Sequence, residues 1–376
     1  MNILQLNFEA GWRGGERQTM LSMLQFREEG HTVHLLCRAG SQIGERARAA
    51  GFVVHERKGS GGVIGFLALS GKRYDILHVQ TGHMLTWAVL TKLLHRTLVV
   101  YSRRVAFRLK GALTRFKYRK TDLVVAISEA CANSVQALGI QHVPIIADAV
   151  LPVSPNATRS QMLAGQLGIG QRKVVATTSA LAADKDPLML VDAIAALKKR
   201  RNDFVFVHFG AGALEPEVRA RVAALQLQDT FLFAGYQQNV EALFGLFDVF
   251  VMSSREEGLG SSVLDAFSAR VPVASTSAGG LKELLADDRG LMSAPGDAGG
   301  LARNIGQLLD APDWLGAMTS KAAEYFERTH RLDTMADAYL VMFEQLLNER
   351  RRPRTAAIAT APAATPGIAV ESHNQA

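Results

Sequence analysis

Cysteine is scarce in this chain: two residues in 376, Cys37 and Cys131. Cys37 closes an apolar run and Cys131 lies in a helix-like one. Both read as buried free thiols rather than as a disulfide or metal site. No CxxC pair and no HExxH stretch occurs, so a structural zinc site lacks its usual ligand spacing. No DxD-like pair falls between a strand and a loop. No apolar run approaches the roughly eighteen residues that a bilayer span needs. The opening MNILQLNF lacks a basic region followed by a long apolar core and reads as a first strand, not a leader peptide. These absences together predict a cytoplasmic protein.

Acidic residues are missing from one long segment. Between Lys92 and Lys120 there is no Asp or Glu, while Arg103, Arg104, Arg108, Lys110, Arg115, Lys117, Arg119 and Lys120 accumulate. Val105, Phe107, Leu109, Leu113, Phe116 and Tyr118 interleave with them. Such a segment can lie on an anionic membrane surface or meet a phosphorylated acceptor. The plain alternative is a solvated basic face. No RNA- or DNA-binding motif accompanies it, so nucleic acid is not an expected partner.

What is present describes a globular α/β chain. Hydrophobic residues make up 48% and charged residues 20%, with a net charge of +7, enough for two cores of ordinary size. Short runs rich in Val, Leu and Ile predict buried strands at Asn2–Asn7, Thr32–Cys37, Asp75–Gln80, Thr97–Ser102 and Asp122–Ser128. Helical spacing falls between them, at Gly15–Glu29, Ser41–Ala50, Met84–His95 and Glu129–Leu138. The sequence ADAVLPVSPN at Ala147–Asn156 breaks the pattern. Alternation then restarts with strands at Lys173–Ser179, Phe204–Gly210, Thr230–Gly235, Val249–Ser254 and Val271–Ser275. Helices are predicted at Pro187–Arg200, Glu215–Leu225 and Ser261–Arg270. Two Rossmann-like doubly wound domains follow, at residues 1–150 and 151–349. A last helix over Thr334–Asn348 carries Met335, Ala338, Tyr339, Met342, Phe343 and Leu346 at helical spacing. Residues 350–376, basic and then rich in Ala, Thr and Pro, read as a disordered tail.

One stretch carries most of the chemistry. In VFVMSSREEGLGSSVLDAFSARVPVASTSAGGLKELL, from Val249 to Leu285, a strand leads to Glu257 and the turn Gly258-Leu259-Gly260. Ser261 and Ser262 then open a helix that carries Asp265. A second strand ends at Gly279-Gly280. The glycine turn lets backbone N–H groups approach a phosphate, and a helix N-terminus favours the negative charge. Of the two carboxylates, one suits a cationic or hydroxyl-rich sugar and the other a ribose diol.

This stretch resembles the retaining glycosyltransferases of family 4, which have the two-domain GT-B fold. Their signature is a Glu, seven residues and a second Glu, then a P-V-V-A-S-like strand and G-G-L-x-E. Here Asp265 stands in place of the second Glu, and Gly279-Gly280-Leu281-Lys282-Glu283 supplies the closing element. The resemblance implies that Glu257 orients the sugar hydroxyls and that Asp265 contacts the ribose. Asp is one methylene shorter, so that contact would be longer, water-bridged or reorganised. Gly14-Gly15-Glu16-Arg17 resembles the family's G-G-x-E-R element, which lies beside the donor diphosphate. Ser179–Pro187, SALAADKDP, resembles G-R-L-x-x-x-K-G, with Lys185 at the Lys position and Ala180 at the Arg position. A cation is expected there to stabilise the leaving diphosphate. Either Lys185 acts alone, Arg17 substitutes, or activity is reduced.

FVFVHFGAG at Phe204–Gly212 and FLFAGY at Phe231–Tyr236 resemble the family's base-binding wall. Gly210, Gly212, Gly235 and Tyr236 are its candidate contacts. Ser102-Arg103-Arg104 occupies the place where many members carry a histidine near the sugar. Arg103 and Arg104 are candidate acceptor or phosphate contacts, and His83 is either a sugar contact or a structural residue. The resemblance implies no bound metal and no cofactor beyond a nucleoside-diphosphate sugar as substrate. It implies transfer of that sugar, with retention, to a saccharide or lipid-linked acceptor, plausibly of lipopolysaccharide, on the inner face of the cytoplasmic membrane. The donor would sit mainly on the C-terminal half and the acceptor on the N-terminal half, and the last helix would cross back to the N-terminal domain. Two alternatives stand beside this reading. One is a GT-B nucleotide-sugar epimerase. The other is a catalytically weakened binding or scaffold subunit, motivated by Ala180 and Asp265.

Overall fold

The structure, a computed structural model, describes residues 1–311 and 313–351. Six strands form the first sheet: β1 (Asn2–Leu6), β2 (Thr32–Arg38), β3 (Val53–Arg57), β4 (Ile76–Val79), β5 (Leu98–Arg103) and β6 (Leu123–Ala126). Six more form the second: β7 (Lys173–Thr178), β8 (Phe204–Phe209), β9 (Phe231–Gly235), β10 (Val249–Met252), β11 (Val273–Thr276) and β12 (Leu291–Ser293). The orders are β3-β2-β1-β4-β5-β6 and β12-β11-β10-β7-β8-β9. These are one topology used twice. Every pairing is parallel, for example Ile3 with Ile76 and Val174 with Val205. Parallel neighbours need crossover helices, and the helices cover both faces of each sheet. That is why β4, β5, β8 and β10 are buried along their whole length.

In each sheet the strand order reverses at one place, between β1 and β4 and between β7 and β10. Loops leaving the strand ends diverge there and open a crevice. The loops after β1, β4, β7 and β10 lead to Gly14, His83, Lys185 and Glu257, while Arg104, Gly210, Gly212 and Tyr236 follow β5, β8 and β9.

The last helix, Leu332–Arg351, packs against the first sheet and not the second. Its Met335, Ala336, Tyr339, Leu340 and Phe343 are buried with Ile3, Phe26, Leu35 and Val100. The C-terminal segment of the chain therefore completes the N-terminal core. The reading of residues 350–376 as a tail is corrected at its start, because Arg350 and Arg351 still belong to this helix. The remainder of that tail lies outside the described residues.

Two strands were not predicted from the sequence, nor were several helices, among them Ser60–Ser70, Ala157–Gln166 and Ala298–Leu309. β3, VVHER, is a half-buried edge strand whose polar residues mask its period. β12 has only three residues. The single helix expected at Met84–His95 is two, Gly82–Leu90 and Lys92–His95. Thr91 separates them, its hydroxyl donating back to the Trp87 carbonyl at 2.8 Å.

Candidate active site

The turn after β10 is held in place by small residues. Ser253 donates through Oγ to the Lys185 carbonyl at 2.7 Å, and Thr276 through Oγ1 to the Ser254 carbonyl at 2.6 Å. The Gly279-Gly280 pair lies directly against Glu257. A Cβ on Gly279 would sit 1.9 Å from the Glu257 carbonyl oxygen, and Gly279 has φ +50°. No side chain fits there, which is the physical content of the G-G spacing. Gly260, at φ +101°, then turns the chain into the helix Ser261–Ser268.

This packing presents Glu257 to Lys185. The Lys185 ammonium lies 2.5 Å from Glu257 Oε2, and Ser254 Oγ donates to the same oxygen at 3.1 Å. Lys185 closes a short 3-10 turn, Ala183–Lys185, whose Asp184 carbonyl accepts from the backbone of Arg255. The two loops thus brace each other, and the pair stands beside the helix N-terminus at Ser261. The Ser262 hydroxyl donates to the Thr178 carbonyl at 3.2 Å, tying that helix to the end of β7.

Gly14-Gly15-Glu16-Arg17 divides its work. Glu16 caps its own helix, accepting from the Arg13 N–H at 3.0 Å and from Asn7 at 3.3 Å. Gly14 lets the other lobe approach, since a Cβ there would lie 3.2 Å from Ser261 Oγ. Arg17 crosses the cleft. Its guanidinium donates to both oxygens of Asp265, at 2.7 and 2.9 Å, and lies 3.3 Å from Glu241. The Asp265 side chain is 3% exposed. Burial pushes its carboxyl up, and Arg17 pulls it down. The carboxylate assigned to the ribose is thus engaged by an arginine of the opposite lobe.

The Gly258-Leu259-Gly260 turn is also covered. A Cβ on Gly258 would sit 2.0 Å from the Arg104 carbonyl oxygen, and Ser128 Oγ donates to the Gly258 carbonyl at 2.6 Å. Nearby, the Glu283 carboxylate accepts from the N–H groups of Glu129 and Ala130 at 2.9 and 3.0 Å. Glu283, the last residue of the G-G-L-x-E element, therefore caps a helix of the other lobe.

Arg104 points inward. Its Nε donates to Asp148 at 3.0 Å and a second nitrogen to Gln80. Arg103 is 3% exposed, bonds the Phe107 carbonyl at 3.1 Å and stacks on the Phe107 ring. Arg104 is thus engaged by Asp148 and Gln80, whereas Arg103 keeps its Nε buried and without a partner. His83 is exposed near Trp87, with ring centroids 6.5 Å apart. On the other lobe, Gly210 and Gly212 lie against the Ser179–Leu181 loop: a Cβ on either would come within 2.0 and 2.3 Å of its carbonyl oxygens. Ala180 is in that loop. Tyr236 is 53% exposed.

The structure therefore brings Glu257, Lys185, Gly258–Ser262, Asp265, Arg17 and Gly14 together. Gly210, Gly212 and Tyr236 stand on the adjoining strand ends. Ser128, Glu241, Gln80 and Asp148 were missed. Only Ser128 had a signal, as a serine before a helix start, where it also accepts from the Cys131 N–H at 3.2 Å.

Comparison with known proteins decides the family. Residues 12–150 match the family model described as Glycosyltransferase Family 4, and residues 172–311 match the one described as Glycosyl transferases group 1. The chain belongs to the family 4 glycosyltransferases. The transferase is 29% identical over 258 residues to the 2-deoxystreptamine glucosyltransferase of Streptomyces kanamyceticus, covering 66% of this chain and 67% of that one. It is 24% identical over 289 residues to the lipopolysaccharide core biosynthesis mannosyltransferase LpcC of Rhizobium leguminosarum bv. viciae, covering 74% and 81%. Its fold matches that of Anabaena Alr3699/HepE in complex with UDP and glucose, with TM-score 0.82, 18% identity and coverage of 92% and 100%. A glycosyltransferase from Rickettsia africae superposes with TM-score 0.80 at 18% identity, covering 92% and 98%. The architecture is GT-B. Among the described residues, no helix is long and apolar enough to cross a membrane.

Proposed function

We propose that the transferase moves a sugar from a nucleoside diphosphate to a saccharide or lipid-linked acceptor in cell-surface glycan synthesis, with retention of configuration. The observation that carries this reading is the Lys185–Glu257 pair at the helix N-terminus of Ser261. When the donor binds, its diphosphate would take Lys185 from Glu257, and the freed carboxylate would accept hydrogen bonds from the sugar hydroxyls. As the glycosidic bond breaks, charge grows on the leaving phosphate. Lys185 and the N–H groups of the helix meet that charge without reorganising. The sequence offers no evident nucleophile, and Glu257 and Asp265 are read as binding residues. Attack from the face of the departing phosphate, which would take the acceptor proton, accounts for retention. Named relatives that act in lipopolysaccharide core assembly support the acceptor class.

The basic segment supports a peripheral membrane location at the cytoplasmic face. Leu93 is 87% exposed, Leu113 85% and Phe116 55%, among exposed Arg108, Lys110, Arg115, Arg119 and Lys120. Exposed apolar residues within a cationic field suit an anionic bilayer surface.

The test is thermal unfolding with UDP, GDP, ADP and their sugar conjugates. A ligand of the folded state at about a hundred times its Kd adds about 2.7 kcal/mol. A shift with one base identifies the donor class, and Glu257→Ala should then abolish transfer in folded protein. Transfer that survives Glu257→Ala refutes the site. Sugar isomerised without an acceptor identifies an epimerase instead.

A further inference from the structure

Two cations near the acceptor-side strand ends have an acid. Lys92 pairs with Asp122 at 2.7 Å, and Arg104 with Asp148 at 3.0 Å. Arg103 and Lys117 form no ion pair among the described residues, although Arg103 is 3% exposed and Lys117 is half-buried. A buried charge without a counter-charge is costly, so two side by side call for an anion. Burial, and then repulsion from Arg103, pulls the Lys117 ammonium down from its usual range.

Other unused donors converge on the same place. Val79 of β4 is in register with Tyr101 of β5, and a Cβ on Gly82 would lie 4.0 Å from the Tyr101 hydroxyl, so Thr81 and Arg103 both follow from neighbouring strand ends. Thr81 is the N-cap of the helix Gly82–Leu90, yet its hydroxyl makes no capping bond and is buried without a partner. The first helical bond runs from the Leu85 N–H to the Thr81 carbonyl, so the N–H groups of Gly82, His83 and Met84 lie ahead of the helical ladder. Arg103 Nε is also buried and unpartnered. Lys117 reaches the first turn of this helix, donating to the Gly82 carbonyl at 3.1 Å and to Thr86 Oγ1 at 3.2 Å, and keeps one N–H in reserve.

We propose that Thr81, Arg103, Lys117 and the start of the helix Gly82–Leu90 form a binding site for a phosphate group carried by the acceptor. Two cations and a helix N-terminus match the charge of a phosphate better than that of a carboxylate. The site adjoins the transfer site: the Arg104 carbonyl lies against Gly258, and Cys131 Sγ, in the field of Arg103, lies 3.7 Å from the Gly258 carbonyl. An acceptor anchored here by its phosphate reaches toward the sugar beside Glu257. This inference rests on the transferase reading and adds to it the charge of the acceptor.

The test measures binding of two probes to the full chain. One is glucose 6-phosphate, followed by calorimetry. The other is phosphatidylcholine vesicles doped with phosphatidic acid, followed by flotation. Lys117→Met and Thr81→Val should each weaken one or both probes by about tenfold, the loss expected for a charge-assisted hydrogen bond. Lys199→Met, an exposed lysine of the other lobe, should not. Loss confined to the soluble ester identifies a phosphorylated saccharide, and loss confined to vesicles identifies a lipid phosphate. Arg103→Met should abolish binding if it folds, but the two milder variants decide without it. Wild-type protein that binds neither probe overturns the proposal, as do Lys117→Met and Thr81→Val variants that bind like wild type. The thermal shift with UDP or GDP should persist in Lys117→Met. Its absence in the wild type would instead refute the donor reading.

Discussion

The Arg17–Asp265 contact joins the two lobes at the centre of the cleft, and Arg17→Met should expose its weight. The substitution keeps most of the side chain's packing but leaves a carboxylate that is 3% exposed without its cation. Breaking a buried pair from one side costs about 3–5 kcal/mol. Arg17 is 20% exposed, and solvent screening places the expectation at the lower end, about 3 kcal/mol. For a lobe of this size each kcal/mol moves the midpoint by about 2–4 °C, so a drop of about 6–12 °C is expected. The loss should depend on pH. Burial already raises the Asp265 pKa, and without Arg17 the downward pull disappears. A carboxyl raised in the folded state stabilises fully below its unfolded pKa, and that contribution is lost as pH rises through the folded pKa. Arg17→Met should therefore be weakest at neutral pH and recover on acidification. Asp265→Asn in the same background should restore most of the loss at neutral pH, because no buried charge remains. Thermal melts of wild type, both single variants and the double variant across pH 5–8 form a double-mutant cycle. An Arg17→Met variant that melts with the wild type, with the same pH profile, refutes the reasoning.

Other outcomes follow from the same geometry. Gly258→Ala puts a methyl 2.0 Å from the Arg104 carbonyl oxygen, so the lobes must separate; small-angle scattering should show an expanded particle, and transfer activity should be lost. Lys185→Met leaves Glu257 without its cation and should weaken nucleoside-diphosphate affinity by about tenfold or more, read by calorimetry. Glu283→Gln weakens the cap that this carboxylate places on Glu129 and Ala130 across the lobes, costing about 1 kcal/mol by urea denaturation.

Much of the architecture is written locally. Short apolar runs such as ILHV and VFVM, bounded by turn residues, fit strands buried on both faces, and their alternation with helical runs already predicts two parallel sheets. The edge strand β3 escaped because an edge has one neighbour and carries polar residues, so its pattern resembles that of a loop. The motif around Glu257 was legible for a related reason. Gly260, Gly279 and Gly280 answer contacts inside the motif, with Leu281, Glu257 and Gly258, and so their spacing is fixed, whereas Gly258 answers Arg104 of the other lobe.

What sequence alone determined, then, is each lobe, together with the candidate residues each one offers: Glu257, Lys185, the glycine turn, and the helix that follows. Which groups meet across the cleft was decided only in three dimensions. Arg17 and Asp265 are 248 positions apart, and Ser128 and Gly258 are 130 apart. Arg103 and Arg104 look alike in sequence, yet Arg103 ends β5 and Arg104 follows it, and successive extended residues point to opposite sides. Arg104 finds Asp148, while Arg103 stands in the field of Lys117 and forms no ion pair among the described residues. Periodicity records whether a position is buried, but the partner that a buried charge finds depends on how distant segments pack.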